Sequence, residues 1–258
     1  MIAHLFNRVE AAVYFVTPGK RSKWGHTFGG LPSHRGTVLP VGPPLHLFFT
    51  LNLTDPRVGL RLPRRKWLPF FYPFRNIHGE FAYRVVSDGR VEVLSKPYSA
   101  AYLADESEWF HWPGFPRGCR RRSAGLEKKQ DYDVHDPEDV YWLGCIFGVA
   151  ALSASEKEAA KERLENWYRE SFESEMNSFD SLDELAAESS GFLVQGLPRS
   201  KCPNRKCRNH KRPGSMEVVL TIIADEGDSF AAEIGDTGQL IYEVCRICGS
   251  VFVHNQCT

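Results

Sequence analysis

Four cysteines in two close pairs are the residues of this sequence best suited to chemistry. Cys202 and Cys207 flank Pro203, Asn204, Arg205 and Lys206; Cys245 and Cys248 flank Arg246 and Ile247. Four thiolates meet the tetrahedral preference of Zn²⁺, and two ligands on one tight turn reach the same ion without strain. Pro203 and Asn204 suit the first turn, and Gly249 permits a sharp backbone exit after the second. Four protein thiolates leave no coordination position for an activated water, so the spacing points to a structural zinc site and not a catalytic one. His210, His254 and Cys257 lie near the pairs and are the candidates to replace one ligand. Free cysteines are the bland alternative. A redox pair would need a thioredoxin-like βαβ pattern, which does not surround Cys245.

The other candidates are weaker. The nine histidines are scattered and form no HExxH; there is no GxSxG elbow and no phosphate loop after Gly29-Gly30. His135-Asp136 has an acid–base look, but Asp136 before Pro137 reads better as a helix cap. Cys119 stands beside Arg120, Arg121 and Arg122, which favour its thiolate; an incidental loop thiol is the simpler reading. The run Arg64-Arg65-Lys66-Trp67 offers phosphate contacts and a stacking ring, or is a solvated basic turn.

The elements that must position the cysteines are mostly strands. The pairs are 37 residues apart, and that interval holds strand patterns at Met216–Ala224, Phe230–Glu233 and Gln239–Val244, with Ser250–His254 following, so sheet pairing can bring the cysteines together. Earlier in the chain, Ala11–Val16 and Leu45–Leu53 are compact apolar runs ended by turn residues. Phe81–Val86 and Val91–Leu94 flank Ser87-Asp88-Gly89-Arg90, a hairpin signal because Asp-Gly supplies the positive φ of a tight turn. Tyr98–Tyr132 has no clear period and reads as loop with at most short elements. Helices are expected from Asp136 through Phe147, at Ser155–Met176 and at Ser181–Glu188. The second is the strongest: Ser155 and Glu158 form a capping box, and Ala160, Leu164, Trp167, Tyr168 and Phe172 mark one apolar face. These elements imply an α+β fold, a largely antiparallel sheet with a few helices and a C-terminal zinc-knuckle element. A single domain is expected over 1–258, with 198–258 as its zinc-stapled subregion.

The chain carries 32 Lys and Arg against 32 Asp and Glu, so no global field draws it to nucleic acid or membrane. The local distribution is uneven. From Arg57 to Lys129 there are 15 basic against 7 acidic residues, and from Ala151 to Gly196 there are 4 against 11. The longest apolar stretch, Gly144 to Leu152, is too short to span a bilayer, and Arg8 and Glu10 break the apolar start that a signal peptide needs. The expectation is a cytoplasmic protein in a reducing compartment, where cysteines serve metals or cores better than disulfides.

Several stretches resemble the YwqG-like family of bacterial proteins. Phe28-Gly29-Gly30-Leu31-Pro32 is similar to its phenylalanine–glycine–glycine turn, and Pro44-Leu45-His46-Leu47-Phe48-Phe49-Thr50-Leu51-Asn52-Leu53 to its following strand, with Thr50 where glutamine is usual. Gly191–Gln195, Met216–Asp225 and Ile234–Tyr242 resemble later segments in the family's order; Arg57–Ala187 matches poorly. The resemblance implies a mixed, largely antiparallel fold and no known reaction. Some relatives look like immunity proteins, so the expected function is a non-enzymatic binding protein that blocks a cognate protein toxin, for instance a nuclease. The acidic face bearing Glu158, Glu162, Glu165 and Glu173 is its candidate partner surface. The runner-up is a zinc-ribbon protein that meets nucleic acid through Lys201, Arg205, Lys206, Arg208, Lys211 and Arg212; the neutral charge of the whole chain counts against it, so a protein toxin and not nucleic acid or membrane is the expected partner. An enzyme with an unrecognised site is the third reading.

Overall fold

The computed structural model of the chain describes residues 2–10, 12–37, 45–73, 80–95, 120–129, 154–155, 158, 162, 200–223 and 239–256. Among these residues, apolar runs punctuated by turns make eleven strands: β1 (Ile2–Asn7), β2 (Ala12–Pro18), β3 (Thr27–Phe28), β4 (Leu45–Asn52), β5 (Trp67–Pro73), β6 (Glu80–Ser87), β7 (Arg90–Val93), β8 (Arg122–Lys128), β9 (Glu217–Ile223), β10 (Gln239–Val244) and β11 (Ser250–Gln256). They pair throughout as one antiparallel sheet in the order β5-β4-β3-β8-β2-β1-β9-β10-β11-β6-β7.

The sheet curls into a half-barrel. Its apolar face closes on itself, so Phe70 of β5 meets Tyr242 of β10 edge to face at 5.1 Å although the strands are far apart in sheet order. One cluster of buried side chains, from Leu5 and Tyr14 through Phe48, Phe70 and Tyr83 to Leu220 and Val251, fills the interior. The two flanks of the sheet are joined by a side chain. The buried Tyr83 hydroxyl on β6 donates to the Pro69 carbonyl of β5 at 2.7 Å and accepts from the Phe71 amide at 3.1 Å. It thereby satisfies the Pro69 carbonyl and the Phe71 amide on an edge strand whose prolines, Pro69 and Pro73, have no N–H to offer a neighbour.

This corrects the α+β expectation. The one helical element that lies wholly within the described residues is a 3-10 turn at Pro56–Val58, and the described core is built by sheet alone. A curled sheet covers its own apolar face, which removes the need for packed helices. Ala154, Ser155, Glu158 and Glu162 have helical backbone, but the rest of Ser155–Met176 lies outside the described residues, as do Asp136–Phe147, Ser181–Glu188 and Phe230–Glu233. Reading Tyr98–Tyr132 as loop is corrected in part, since Arg122–Lys128 is strand β8 and pairs with both β2 and β3. The expected hairpin at Ser87–Arg90 is present as the β6–β7 turn. No helix among the described residues is long and apolar enough to cross a membrane.

A buried polar network braces the far end of β4. The His26 ring lies between two partners. Its Nδ1 accepts from the Asn52 amide at 3.1 Å, and its Nε2 meets Asp55 Oδ2 at 2.8 Å. Asp55 also accepts from the Arg57 amide and guanidinium, and Arg57 Nη1 continues to the Leu126 carbonyl of β8. Both side chains of the His26–Asp55 pair are fully buried. Nothing in the sequence marks this set, because its members look like an isolated histidine and an ordinary Asp-Pro turn.

Candidate metal centre

Sheet pairing delivers the four cysteines to one end of the central strands. Cys202 and Cys207 sit on the turn-rich segment leading into β9, while Cys245 and Cys248 occupy the β10–β11 hairpin turn. Glu217 at the start of β9 pairs with Val244 at the end of β10, so both turns arrive at the same edge. The second turn closes through Gly249, whose amide donates to the Cys245 carbonyl at 2.9 Å with φ of 72°. A side chain there would be strained and would approach the Val85 carbonyl and Arg65 at 3.1–3.3 Å. In the first turn the Asn204 carbonyl accepts from the Cys207 amide at 2.9 Å, and the Asn204 side chain accepts from the Lys206 amide at 3.1 Å.

The four sulfurs lie within 4.8 Å of one another. Cys202 and Cys248 approach to 3.4 Å between Sγ atoms, and Cys207 and Cys245 to 3.9 Å. A tetrahedral site with metal–sulfur bonds of about 2.3 Å needs sulfurs about 3.8 Å apart, so the spacing fits a single ion. Three of the cysteines are buried and Cys248 is half-buried, and Met216 and Phe252 pack around them. All four are free of disulfides. Crowded thiols share protons unevenly. Hydrogen bonds from Cys202, Cys245 and Ser250 hold the Cys248 thiol far below its usual value, and contact with Cys245 and Cys248, reinforced by burial, pushes Cys202 far above. All four can be thiolates together only around a cation, and the cluster can hold a metal ion.

The surroundings hold the ligands in place. Ser250 Oγ lies 3.1 Å from Cys248 Sγ, and Asn209 Nδ2 donates to Cys245 Sγ at 3.7 Å. His210 Nδ1 contacts the Cys202 carbonyl at 2.7 Å, which makes it a brace for the first turn and not a fourth ligand. Arg246 grips Glu217 through both carboxylate oxygens and reaches the Gly59 carbonyl at 3.1 Å. Arg65, from the basic run, donates to the Val85 carbonyl at 2.6 Å and to the Cys248 carbonyl at 3.3 Å. That run is thus partly a bracket for the second cysteine turn, and Trp67 begins strand β5.

His254 also stands apart from the ligand set. Its Nε2 lies 2.9 Å from both Ser200 Oγ and Glu243 Oε2, with Glu80 3.9 Å from Nδ1. A serine and a buried carboxylate sharing one ring nitrogen is a poor arrangement for proton removal, since the general base needs that nitrogen free. Cys119, Cys145, Cys257, His135, Glu165 and Glu173 lie outside the described residues, while Glu158 and Glu162 are exposed.

Fold and site together define a curled antiparallel sheet carrying, on the end of its central strands, a knuckle of four cysteines close enough to bind a metal ion. No family model, curated protein or solved structure matches the chain.

Proposed function

We propose that this is a non-enzymatic binding protein whose knuckle, stapled by a structural Zn²⁺ on Cys202, Cys207, Cys245 and Cys248, presents a cationic surface to nucleic acid. The observation that carries the reading is the charge of the knuckle. Lys201, Arg205, Lys206, Arg208, Lys211 and Arg212 are all exposed, and Ser200–Met216 contains no acidic residue. None of the six has an ion-pair partner among the described residues. A bland reading is that they offset the metal centre. Four thiolates around a divalent ion carry a formal charge of −2, which leaves +4 from the six cations. The neutral charge of the whole chain does not argue against this, because screening at physiological salt confines the relevant field to about 8 Å. Beside these cations a groove of about 470 Å³ is lined by Lys201, His210, Lys211 and Phe252, which combines phosphate contacts with a ring for stacking. Zinc here supplies rigidity: it joins two turns from distant parts of the chain so that the cations hold their spacing.

The test is binding of a fluorescent single-stranded oligonucleotide followed against salt. Contact with about four phosphates gives a log–log slope near −3. K206E/R208E, both at exposed sites, is expected to weaken binding by at least about tenfold and to flatten that slope by about one for each lost contact. A slope near zero, or binding unmoved by the double reversal, contradicts the reading.

A second reading, inhibition of a cognate protein toxin, draws on the exposure of Glu158 and Glu162. An acidic face steers a basic partner. Such a contact would be insensitive to reversal of the knuckle charges, which separates the two.

A further inference from the structure

A second site lies away from the metal, where the glycine turn after β3 meets the chain entering β8. A cleft of about 790 Å³ opens there, within the size range of small-molecule sites. We propose that it binds a phosphate monoester carrying a planar ring, as in a mononucleotide.

Three features of the lining carry this. The first is charge. Arg120 and Arg121 both line the cleft, and neither has an ion-pair partner among the described residues. Arg121 is placed by the glycine turn: its aliphatic stem lies over Gly30, where a Cβ would sit 3.6 Å from Arg121 Cβ and Cγ. Gly29 and Gly30 have φ of 65° and 110°, a conformation that side chains resist. Two guanidinium forks match the doubly charged, multi-oxygen head of a phosphate monoester, whereas a carboxylate would neutralise only one of them. The second is the ring. Trp67 lines the same cleft and is held there from its backbone, because Asp88 accepts from the amides of Lys66 and Trp67 at 2.8 and 3.0 Å. Asp88 is thereby engaged by two donors and its charge is less available to repel an anion. The third is the floor. Thr27 and Thr50 are register partners across β3 and β4 and both line the cleft, placing two hydroxyls side by side. The Gly30 amide makes no hydrogen bond among the described residues. A lone phosphate would leave most of this volume empty; a phosphate with a ring and polar sugar uses the guanidiniums, the indole and the hydroxyls together.

Calorimetric titration with adenosine 5′-monophosphate, ribose 5-phosphate and adenosine tests the proposal on the full chain. The monophosphate is expected to bind about tenfold or more tightly than either fragment, since stacking and charge each contribute at that scale. R120A/R121A, at exposed positions, is expected to bring the monophosphate down to the affinity of adenosine. K206E/R208E is expected to leave it unchanged, which keeps this site separate from the knuckle reading. The proposal is overturned by absence of saturable binding or by equal affinity for the monophosphate and ribose 5-phosphate. It is equally overturned by an affinity that ignores the arginine substitutions or falls with the knuckle reversal.

Discussion

Cys245→Ser is expected to abolish metal binding at the proposed zinc site and cost on the order of 5 kcal/mol of stability, comparable to the lower end of what a domain possesses. The effect is large because Cys245 is fully buried at the junction of two elements. Its sulfur lies 3.9 Å from that of Cys207, across the proposed metal site, and its backbone closes the β10–β11 turn against Ser250 and Gly249. Losing one thiolate from a four-thiolate site leaves three ligands and an unfilled tetrahedral position, so the first turn, residues 200–216, loses its attachment as well. Serine keeps the volume and the turn, which isolates the metal from simple packing. A thermal melt would show a drop of roughly 10–20 °C. The control is Cys119→Ser, whose expected shift is small; equal shifts for the two variants would remove the distinction between ligand and spare thiol.

Asp55→Ala is expected to be almost as damaging, at about 3–5 kcal/mol, because it leaves His26 and Arg57 without their shared buried partner. The network ties the end of β4 to the 3-10 turn and to β8, so the loss spreads across three elements. The same network sets the acid behaviour. Burial drives the His26 pKa down, against the pull of Asp55, which fits a neutral ring whose Nδ1 accepts the Asn52 amide and whose Nε2 donates to the carboxylate. Burial raises Asp55, but the hydrogen bonds from Arg57 and His26 outweigh it and hold the carboxyl below its usual value. Burial also lowers His4 to about 4. All three groups have folded values below their unfolded ones, so the unfolded chain takes up protons first. Stability is full above about pH 6.5. It falls from there toward about pH 4 through His4 and His26, and further as pH drops through the folded value of Asp55. Denaturant melts of Asp55→Ala and the wild type across that range check both statements. The variant's curve should be lower and lack the Asp55 share of the acid loss; parallel curves would contradict the role given to Asp55.

The sequence was most legible where local chemistry and tertiary structure agree. The two cysteine turns announce a shared ligand set by residue type alone, and Gln239–Val244, rich in β-favouring Leu, Ile, Tyr and Val, reads as a strand and is one in the sheet. The β6–β7 turn was readable because Asp88-Gly89 demands a tight hairpin. Strand β5 was hidden by Pro69 and Pro73, which a sheet accepts only at an edge, and here Tyr83 from a strand remote in sheet order satisfies that edge. Strand β8 was hidden because only Ala124, Gly125 and Leu126 are buried between charged ends, too short a pattern to read without its neighbours. The fold class was misjudged for a related reason. Helical periodicity in the middle of the chain suggested helices over a sheet, whereas the sheet of the described residues covers its own core by curling, a property of strand order that no local pattern encodes. The Phe28-Gly29-Gly30 turn read as backbone geometry alone; that it shares a cleft with Trp67 and Arg121 depends on residues far away in sequence.

The central claim is that the four cysteines hold one zinc, and elemental analysis of the purified protein tests it most directly. Protein kept reduced and never exposed to chelator is expected to contain about one zinc per chain, as a closed four-thiolate site requires, and Cys245→Ser to contain much less. Protein prepared in the same way that carries no zinc or other thiophilic metal would contradict the account.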